Sequence, residues 1–180
     1  MDTLECIQTR RSIRRFTAEP VEEKHLQQIL EAVRFAPSWA NTQCVEVVVV
    51  RELQQKTALE GTLSPGNPAR AGFVQAPVVV ALCARRGKAG FYRGRATTAH
   101  GDWYLFDAGI AAQNLCLAAH ALGYGTVHVG SIDHLAAARV LAVPEDLAVI
   151  ELIPIGRPAE TPRIPPRREP AEWIHLERHS

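Results

Sequence analysis

The chain has 180 residues, of which 47% are hydrophobic and 22% are charged, and its formal net charge is only +1. This length and composition suit one globular domain, and the balanced charge argues against an extended nucleic-acid-binding surface. No apolar run approaches the roughly 20 residues that cross a bilayer, and the polar start Met1–Glu5 does not resemble a signal peptide. We therefore expect a cytoplasmic protein that binds neither membranes nor nucleic acid.

Helices and strands are predicted to alternate in the N-terminal half of the chain. The apolar periodicity predicts, in order, a helix over 3–9, a helix between Pro20 and Pro37, a strand over 45–50, helices over 52–59 and 69–75, and a strand over 78–83. The segment 85–101 is rich in glycine, arginine and threonine, so we predict a long loop that is functional or mobile and could act as a lid.

The C-terminal half is predicted to begin with the most hydrophobic helix, over 102–122. Because this helix is apolar nearly all round, we expect it in the core or at a subunit interface, with Gly123 as its C-cap. A strand over 126–129, a helix over 133–141 and a strand over 149–155 follow. The proline-rich residues 157–180 predict an extended arm with a final helical turn near 172–178, of the kind that often binds a second subunit.

Four arginines, which we call the arginine cluster, lie within six positions near the start: Arg10, Arg11, Arg14 and Arg15. Since the whole chain is nearly neutral, this is a local concentration of positive charge. A guanidinium fork matches two phosphate oxygens, and Ser12 adds a hydroxyl donor, so the segment indicates a phosphate site. Considered alone, a solvated charged face is the more frequent explanation of such a run.

Other segments carry weaker signals. Pro37–Gln43 supplies polar side chains suited to a ligand, but equally suited to a turn. Gly123–Gly130 follows a predicted helix and leads into a strand, which favours a helix cap and turn over a dinucleotide-binding loop. The four cysteines are widely scattered, which fits a reducing compartment, and no spacing predicts a metal site. No paired nucleophile and base occurs, so an enzyme of this sequence would depend on a cofactor.

Taken in order, these motifs resemble the flavin-dependent nitroreductase family. The resemblance covers nearly the whole chain and rests on these segments: Arg10–Phe16, Ala36–Ser38, Asn41-x-Gln43, Ala76-Pro77, Asp107–Leu115, Gly123–Thr126, Val129-Gly130, Ile153–Gly156 and Arg167-Arg168. It implies an α+β fold, a nitroreductase-like three-layer α/β/α arrangement with a central mixed sheet. It further implies an intertwined homodimer in which FMN binds at the interface. Cys44-Val45 replaces the common Pro-Trp pair, so the local loop shape departs from the family pattern.

The resemblance also implies site residues. Contacts to the FMN phosphate and ribityl chain are implied for Arg10, Arg11, Ser12, Arg14, Arg167 and Arg168. The flavin-contacting loop reached from the partner subunit would contain Pro37, Ser38, Trp39, Asn41 and Gln43. Val129 and Gly130 would supply backbone near the isoalloxazine ring. No long lid insertion is evident, and the substrate pocket is expected to be walled by Phe91, Tyr92, Trp103 and Tyr104, with Phe106 in the core instead.

The family implies an FMN-dependent oxidoreductase that takes hydride from NADH or NADPH and reduces nitroaromatics, quinones or similar electrophilic small molecules. Two alternatives stay open at this point. One is a flavin protein of the same fold with another reaction, such as flavin fragmentation or reductive dehalogenation. The other is a non-enzymatic module whose arginines bind a different phosphate ligand. No sequence motif decides between NADH and NADPH.

Overall fold

The computed structural model describes residues 1–179. The helices in this part are α1 (Thr3–Thr9), α2 (Glu23–Arg34), α3 (Leu53–Glu60), α4 (Arg70–Phe73), α5 (Tyr104–Ala121) and α6 (His134–Val140). The strands are β1 (Val45–Val50), β2 (Val78–Arg85), β3 (Phe91–Tyr92), β4 (Arg95–Ala96), β5 (Gly125–Thr126) and β6 (Leu147–Gly156), and short 3₁₀ turns cover Trp39–Asn41 and Pro170–Glu172. The predicted helices are thus confirmed to within a few residues at each end.

Four strands form the central sheet in the order β1–β2–β6–β5. Every neighbouring pair in this sheet is antiparallel, so the mixed sheet expected from the sequence is wrong for the single chain. Val50 pairs with Val79. The segment that contains α3 and α4 therefore connects adjacent ends of β1 and β2. A single parallel bridge, between Ser12 and Thr126, joins the arginine cluster to the margin of the sheet.

The central strand β2 divides the core into two halves. Alternate residues of a strand point to opposite faces of a sheet. Even-numbered residues of 78–84 pack with Ile29 of α2 and Leu115 of α5. Odd-numbered residues of 79–83 pack with Leu59 of α3, Phe73 of α4 and Ala137 of α6. Helices therefore cover both faces, and the three-layer α/β/α arrangement is confirmed.

The predicted loop over 85–101 contains a two-stranded hairpin, β3–β4. Its turn residues Arg93 and Gly94 have φ angles of 50° and 75°, as a two-residue hairpin turn of type I′ requires. Arginine is unusual at such a position, where asparagine or glycine is expected, and this hid the hairpin in the sequence. The strand predicted over 126–129 is also interrupted: after β5 the pairing with β6 is lost at residues 127–128 and resumes in the same register at Val129, which pairs with Leu152.

The C-terminal arm begins with backbone hydrogen bonds to residues 15–17, at the end of the arginine cluster. The Thr17 N–H donates to the Arg157 carbonyl, and the Ala159 N–H donates to the Arg15 carbonyl, each at 2.9 Å. Most residues beyond 160 are exposed. The predicted helical turn near 172–178 is replaced by the 3₁₀ turn Pro170–Glu172, which begins with proline and has a capping box formed by Glu169 and Glu172 at its N-terminal end. Ser180, the last residue of the predicted arm, lies outside the described residues.

Residues 1–179 contain no candidate membrane-spanning helix and no candidate metal-binding cluster. None of the helices there combines the length and the apolar character that a membrane span needs. Groups of three or more histidine, cysteine and acidic side chains arranged to hold a metal ion do not occur in the same residues. All four cysteines are buried free thiols.

Candidate functional site

The arginine cluster and the C-terminal arm line a common cavity of about 680 Å³, which we call the anion cavity. Arg10, Arg11, Ser12 and Arg14 contribute from the N-terminal side. The arm contributes Glu160, Thr161, Pro162, Arg163, Ile164, Pro165, Pro166 and Arg167. The fold thus brings Arg167 to the cluster, as the resemblance implied, whereas Arg168 and Arg15 are exposed and do not line the cavity. Arg163 is a lining cation that sequence reasoning missed, because nothing in its proline-rich surroundings marks it.

Two guanidinium nitrogens in the anion cavity's lining residues lack partners. Arg10 Nη1 and Arg11 Nε are buried and make no hydrogen bond within residues 1–179. An unpaired buried donor costs about 1–3 kcal/mol, so proteins normally satisfy such groups. Arg11 Nη1 already donates to the carbonyls of Gln8 at 2.6 Å and Arg10 at 2.8 Å, which fixes its guanidinium plane. The unpaired donors fit an anionic oxygen such as that of a phosphate.

Small residues on both sides hold the cluster in place. Gly72 of α4 packs against it so closely that a Cβ atom at this position would lie 2.1 Å from the Arg14 carbonyl oxygen. On the other side, the buried Ile13 side chain packs against Gly125, where a Cβ would lie 2.6 Å from it. The Ile13 N–H also donates to the Thr126 carbonyl at 2.9 Å. The extended segment is therefore clamped between α4 and β5, and this orients the arginines.

The loop 37–43 has an unusual backbone. Ala40, Asn41 and Gln43 have φ angles of 44°, 55° and 49°, in the region that non-glycine residues rarely adopt. Such residues cost about 1–3 kcal/mol each and cluster at functional sites. The Ser38 hydroxyl stabilises the loop by accepting the Gln43 N–H at 2.9 Å. Pro37, Ser38 and Gln43 line a second cavity of about 270 Å³, which shares no residue with the anion cavity.

Asp107, in the first turn of α5, anchors this loop. Its side chain is buried, with the residue 2% exposed, and both carboxylate oxygens accept the Trp39 N–H, at 3.0 and 3.1 Å. The Cys44 thiol donates to Asp107 Oδ2 at 3.4 Å. Burial and the neighbouring carboxylate raise the pKa of Cys44 to about 11, so the thiol stays protonated and can donate. The positive end of the helix dipole favours a carboxylate at this position.

Asp107→Ala is expected to lower the free energy of unfolding by about 2 kcal/mol, because the Trp39 N–H and the Cys44 thiol would lose their acceptor. Denaturant unfolding followed by tryptophan fluorescence measures the change. Asp107→Asn keeps one acceptor oxygen for Trp39 and should lose about half as much. Equal stability of Asp107→Ala and the wild type would show that the carboxylate does not anchor the loop.

Aromatic side chains continue from the loop toward the start of α5. The Trp39 and Trp103 rings have centroids 5.1 Å apart, and Trp103 meets Phe106 edge-on at the same distance. The Trp103 indole N–H donates to the Thr98 hydroxyl at 2.8 Å. Among the residues expected to wall the substrate pocket, Trp103 is the one whose ring packs directly on the loop 37–43.

The other expected pocket residues are dispersed. Phe91 is half-buried and Tyr92 is exposed, both on the hairpin, while Tyr104 packs partly buried against the core. Phe106, expected in the core, is 58% exposed, so that expectation is wrong. Together with the exposed Leu105, it starts an apolar strip along the outer face of α5, which we call the α5 strip: Leu105, Phe106, Gly109 and Ile110.

The segment 129–130 lies beyond the end of β5. Val129 is buried and exchanges both of its backbone hydrogen bonds with Leu152, at 3.1 Å each. Gly130 is exposed, and a Cβ atom there would meet nothing within 4 Å. Of the two residues, Gly130 is therefore the one whose backbone a ligand can approach.

His128 forms an ion pair with Glu151 two residues before Gly130. Its Nδ1 lies 3.0 Å from a Glu151 carboxylate oxygen, and its Nε2 lies 3.5 Å from Cys116 Sγ. Hydrogen bonding to Cys116 and to Glu151 raises the pKa of His128 to about 10, against the opposing effect of burial. The imidazole is therefore protonated at neutral pH. Sequence reasoning missed this cation, because a single histidine in a valine-rich segment forms no motif.

Comparisons with known proteins agree with this architecture. Residues 7–157 match the model of the Nitroreductase family. The FMN reductase (NAD(P)H) of Bacillus subtilis is 32% identical, over 91% of this chain and 70% of the relative. The NADPH-flavin oxidoreductase of Vibrio harveyi is 31% identical, over 97% of this chain and 73% of the relative.

A solved structure is similar over almost the entire chain. The NADPH:FMN oxidoreductase from Vibrio harveyi, complexed with NAD⁺, superposes with a TM-score of 0.81 at 28% identity. The alignment covers 99% of this chain and 78% of that one. The family match spans far more than half of the sequence and includes the arginine cluster, the loop 37–43 and α5. The chain therefore belongs to the nitroreductase family.

Proposed function

We propose that the protein is an FMN-dependent oxidoreductase that uses NADH or NADPH to reduce nitroaromatics, quinones or similar electrophilic small molecules. The observation that carries the proposal is the anion cavity, where two buried guanidinium nitrogens lack partners. The names of similar proteins support it, since they include an FMN reductase, an NADPH-flavin oxidoreductase and an oxygen-insensitive NADPH nitroreductase.

Within this proposal the chain's residues bind and orient the cofactor. Arg10, Arg11 and Ser12 hold the phosphate, and Arg163 and Arg167 neutralise its remaining charge from the arm. Bound FMN would supply the redox chemistry, which is the transfer of two electrons from the nicotinamide to the acceptor. No nucleophilic side chain is required for such a reaction.

Two further groups would tune the cofactor's surroundings. The ion pair of the protonated His128 with Glu151, two residues before Gly130, would add a polar group near the isoalloxazine ring. The Trp39–Trp103 pair offers flat faces against which an aromatic acceptor can stack. The remaining residues implied by the resemblance are proposed with the roles given above: Arg14, Arg168, Pro37, Ser38, Asn41, Gln43, Val129, Phe91, Tyr92 and Tyr104.

We also propose that the protein is a homodimer. The arginine cluster and the loop 37–43 line separate cavities, so one chain supplies only part of the implied FMN site, and a partner's loop would complete it. The α5 strip exposes Leu105 and Phe106 by 57% and 58%, and large exposed apolar side chains in a row mark association surfaces. The arm adds the exposed Ile164 and Leu176. A cytoplasmic location would supply NAD(P)H and suits four free thiols.

The test combines cofactor identification with turnover. The purified protein should be yellow, release FMN on denaturation as identified by mass spectrometry, and oxidise NADH or NADPH in the presence of a nitroaromatic or a quinone. Light scattering should give the mass of a dimer. A colourless protein that binds no added FMN would refute the proposal, whereas bound FMN without turnover on either donor would favour another reaction on the same fold.

A further inference from the structure

Glu160 is the one acidic residue that lines the anion cavity. Its Oε1 accepts the backbone N–H of Arg14 at 2.6 Å. None of the ion pairs within residues 1–179 joins Glu160 to an arginine, although five arginines line the same cavity. Among the described residues, the carboxylate therefore accepts a backbone N–H of the cluster and forms no ion pair with the guanidinium groups.

The position of Glu160 is fixed by the backbone that precedes it. Phe16 and Pro158 form an antiparallel bridge, and the Ala159 N–H donates to the Arg15 carbonyl at 2.9 Å. These contacts end one residue before Glu160, so its side chain starts from a constrained point at the edge of the cavity. Glu160 is also only half-buried, and water still reaches it. Its backbone is therefore fixed at the cavity, whereas an acidic residue on a mobile surface segment would be free to move away.

We propose that Glu160 sets the affinity of the anion cavity by acting as an internal competitor of the FMN phosphate. The inference rests on the proposed function. The carboxylate weakens phosphate binding in two ways. The carboxylate takes the Arg14 N–H that a phosphate oxygen would otherwise accept, and its negative charge repels the nearly dianionic phosphate across the cavity. Glu160 thereby keeps FMN less tightly bound than five arginines alone would hold it.

The test measures FMN dissociation constants of the cofactor-free protein by quenching of flavin fluorescence. Glu160→Gln keeps an acceptor oxygen for Arg14 but removes the charge, and it should bind FMN about fivefold more tightly at low ionic strength. This gain should shrink as salt screens the repulsion. Glu177→Gln, the same substitution on the arm outside the cavity, is the matched control and should leave the affinity unchanged.

Riboflavin, which lacks the phosphate, separates the mechanism from a general change of the site. Glu160→Gln should leave riboflavin binding as it is in the wild type. An unchanged or weaker FMN affinity of Glu160→Gln, or an equal gain for riboflavin, would overturn the inference while the proposed function stands. A wild-type protein that binds no FMN at all would instead overturn the proposed function. Unchanged thermal unfolding of Glu160→Gln checks that the arm is still in place.

Discussion

Gly72→Ala is expected to lower the free energy of unfolding by about 3 kcal/mol, at the upper end of overpacking effects. The new Cβ would lie 2.1 Å from the carbonyl oxygen and 3.0 Å from the carbonyl carbon of Arg14. Both are backbone atoms, so no flexible side chain can move aside, and either α4 or the arginine segment must shift. Because that segment carries the arginines, FMN affinity should fall as well.

Denaturant unfolding of the cofactor-free protein measures the effect on stability. Ala71→Ser is the matched control, since it also adds one heavy atom to α4, but at an exposed position. It should change the free energy of unfolding by less than about 0.5 kcal/mol. If Gly72→Ala is as stable as Ala71→Ser, the close approach of α4 to the arginine segment is not a constraint on the fold.

Arg10→Ala is expected to weaken FMN binding about 30-fold without destabilising the cofactor-free protein. A hydrogen bond to a charged group contributes about 2 kcal/mol, which corresponds to a factor of about 30 in the dissociation constant. Without ligand, the buried Arg10 Nη1 has no partner to lose, so its removal should not destabilise the fold. Fluorescence titration with FMN and thermal unfolding measure the two quantities.

Arg15→Ala provides the comparison within the same cluster. Arg15 is exposed and does not line the anion cavity, so its removal should change the affinity for FMN less than threefold, about the size of a screened surface effect. Equal losses for Arg10→Ala and Arg15→Ala would mean that the cluster attracts anions only through its overall charge. The position of each guanidinium group in the cavity would then have no role in binding.

Local signals in the sequence were sufficient for most of the fold. In α2, apolar residues recur at the spacing of an amphipathic helix. In β2, they form the continuous run that is typical of a buried strand. The resemblance also singled out Arg167, which lines the anion cavity, while its contact with the phosphate stays a prediction. The mixed sheet was wrong because strand direction depends on how the chain returns to the sheet, which no local period records.

The residues that were missed act through contacts between distant segments. Gly72 looks like an ordinary helix breaker until its contact with Arg14 is known. Asp107 is part of the family-like helix, but its role depends on Trp39, which is 68 positions away. Phe106 was expected in the core, yet its side chain is 58% exposed on the single chain. Such roles depend on tertiary structure and leave no pattern in a short window of sequence.

The backbone pairing between the arm and the residues beside the arginine cluster also determines when the anion cavity can form during biosynthesis. Arg14 and Glu160 are 146 positions apart, so the cavity between them forms only by closing a very long loop. A chain still on the ribosome, with residues 157–167 in the exit tunnel, has its arginines exposed but no opposing wall. On the proposed function, the complete phosphate site therefore cannot exist while the N-terminal part of the chain folds. The anion cavity is complete only after the arm has paired with the residues beside the arginine cluster.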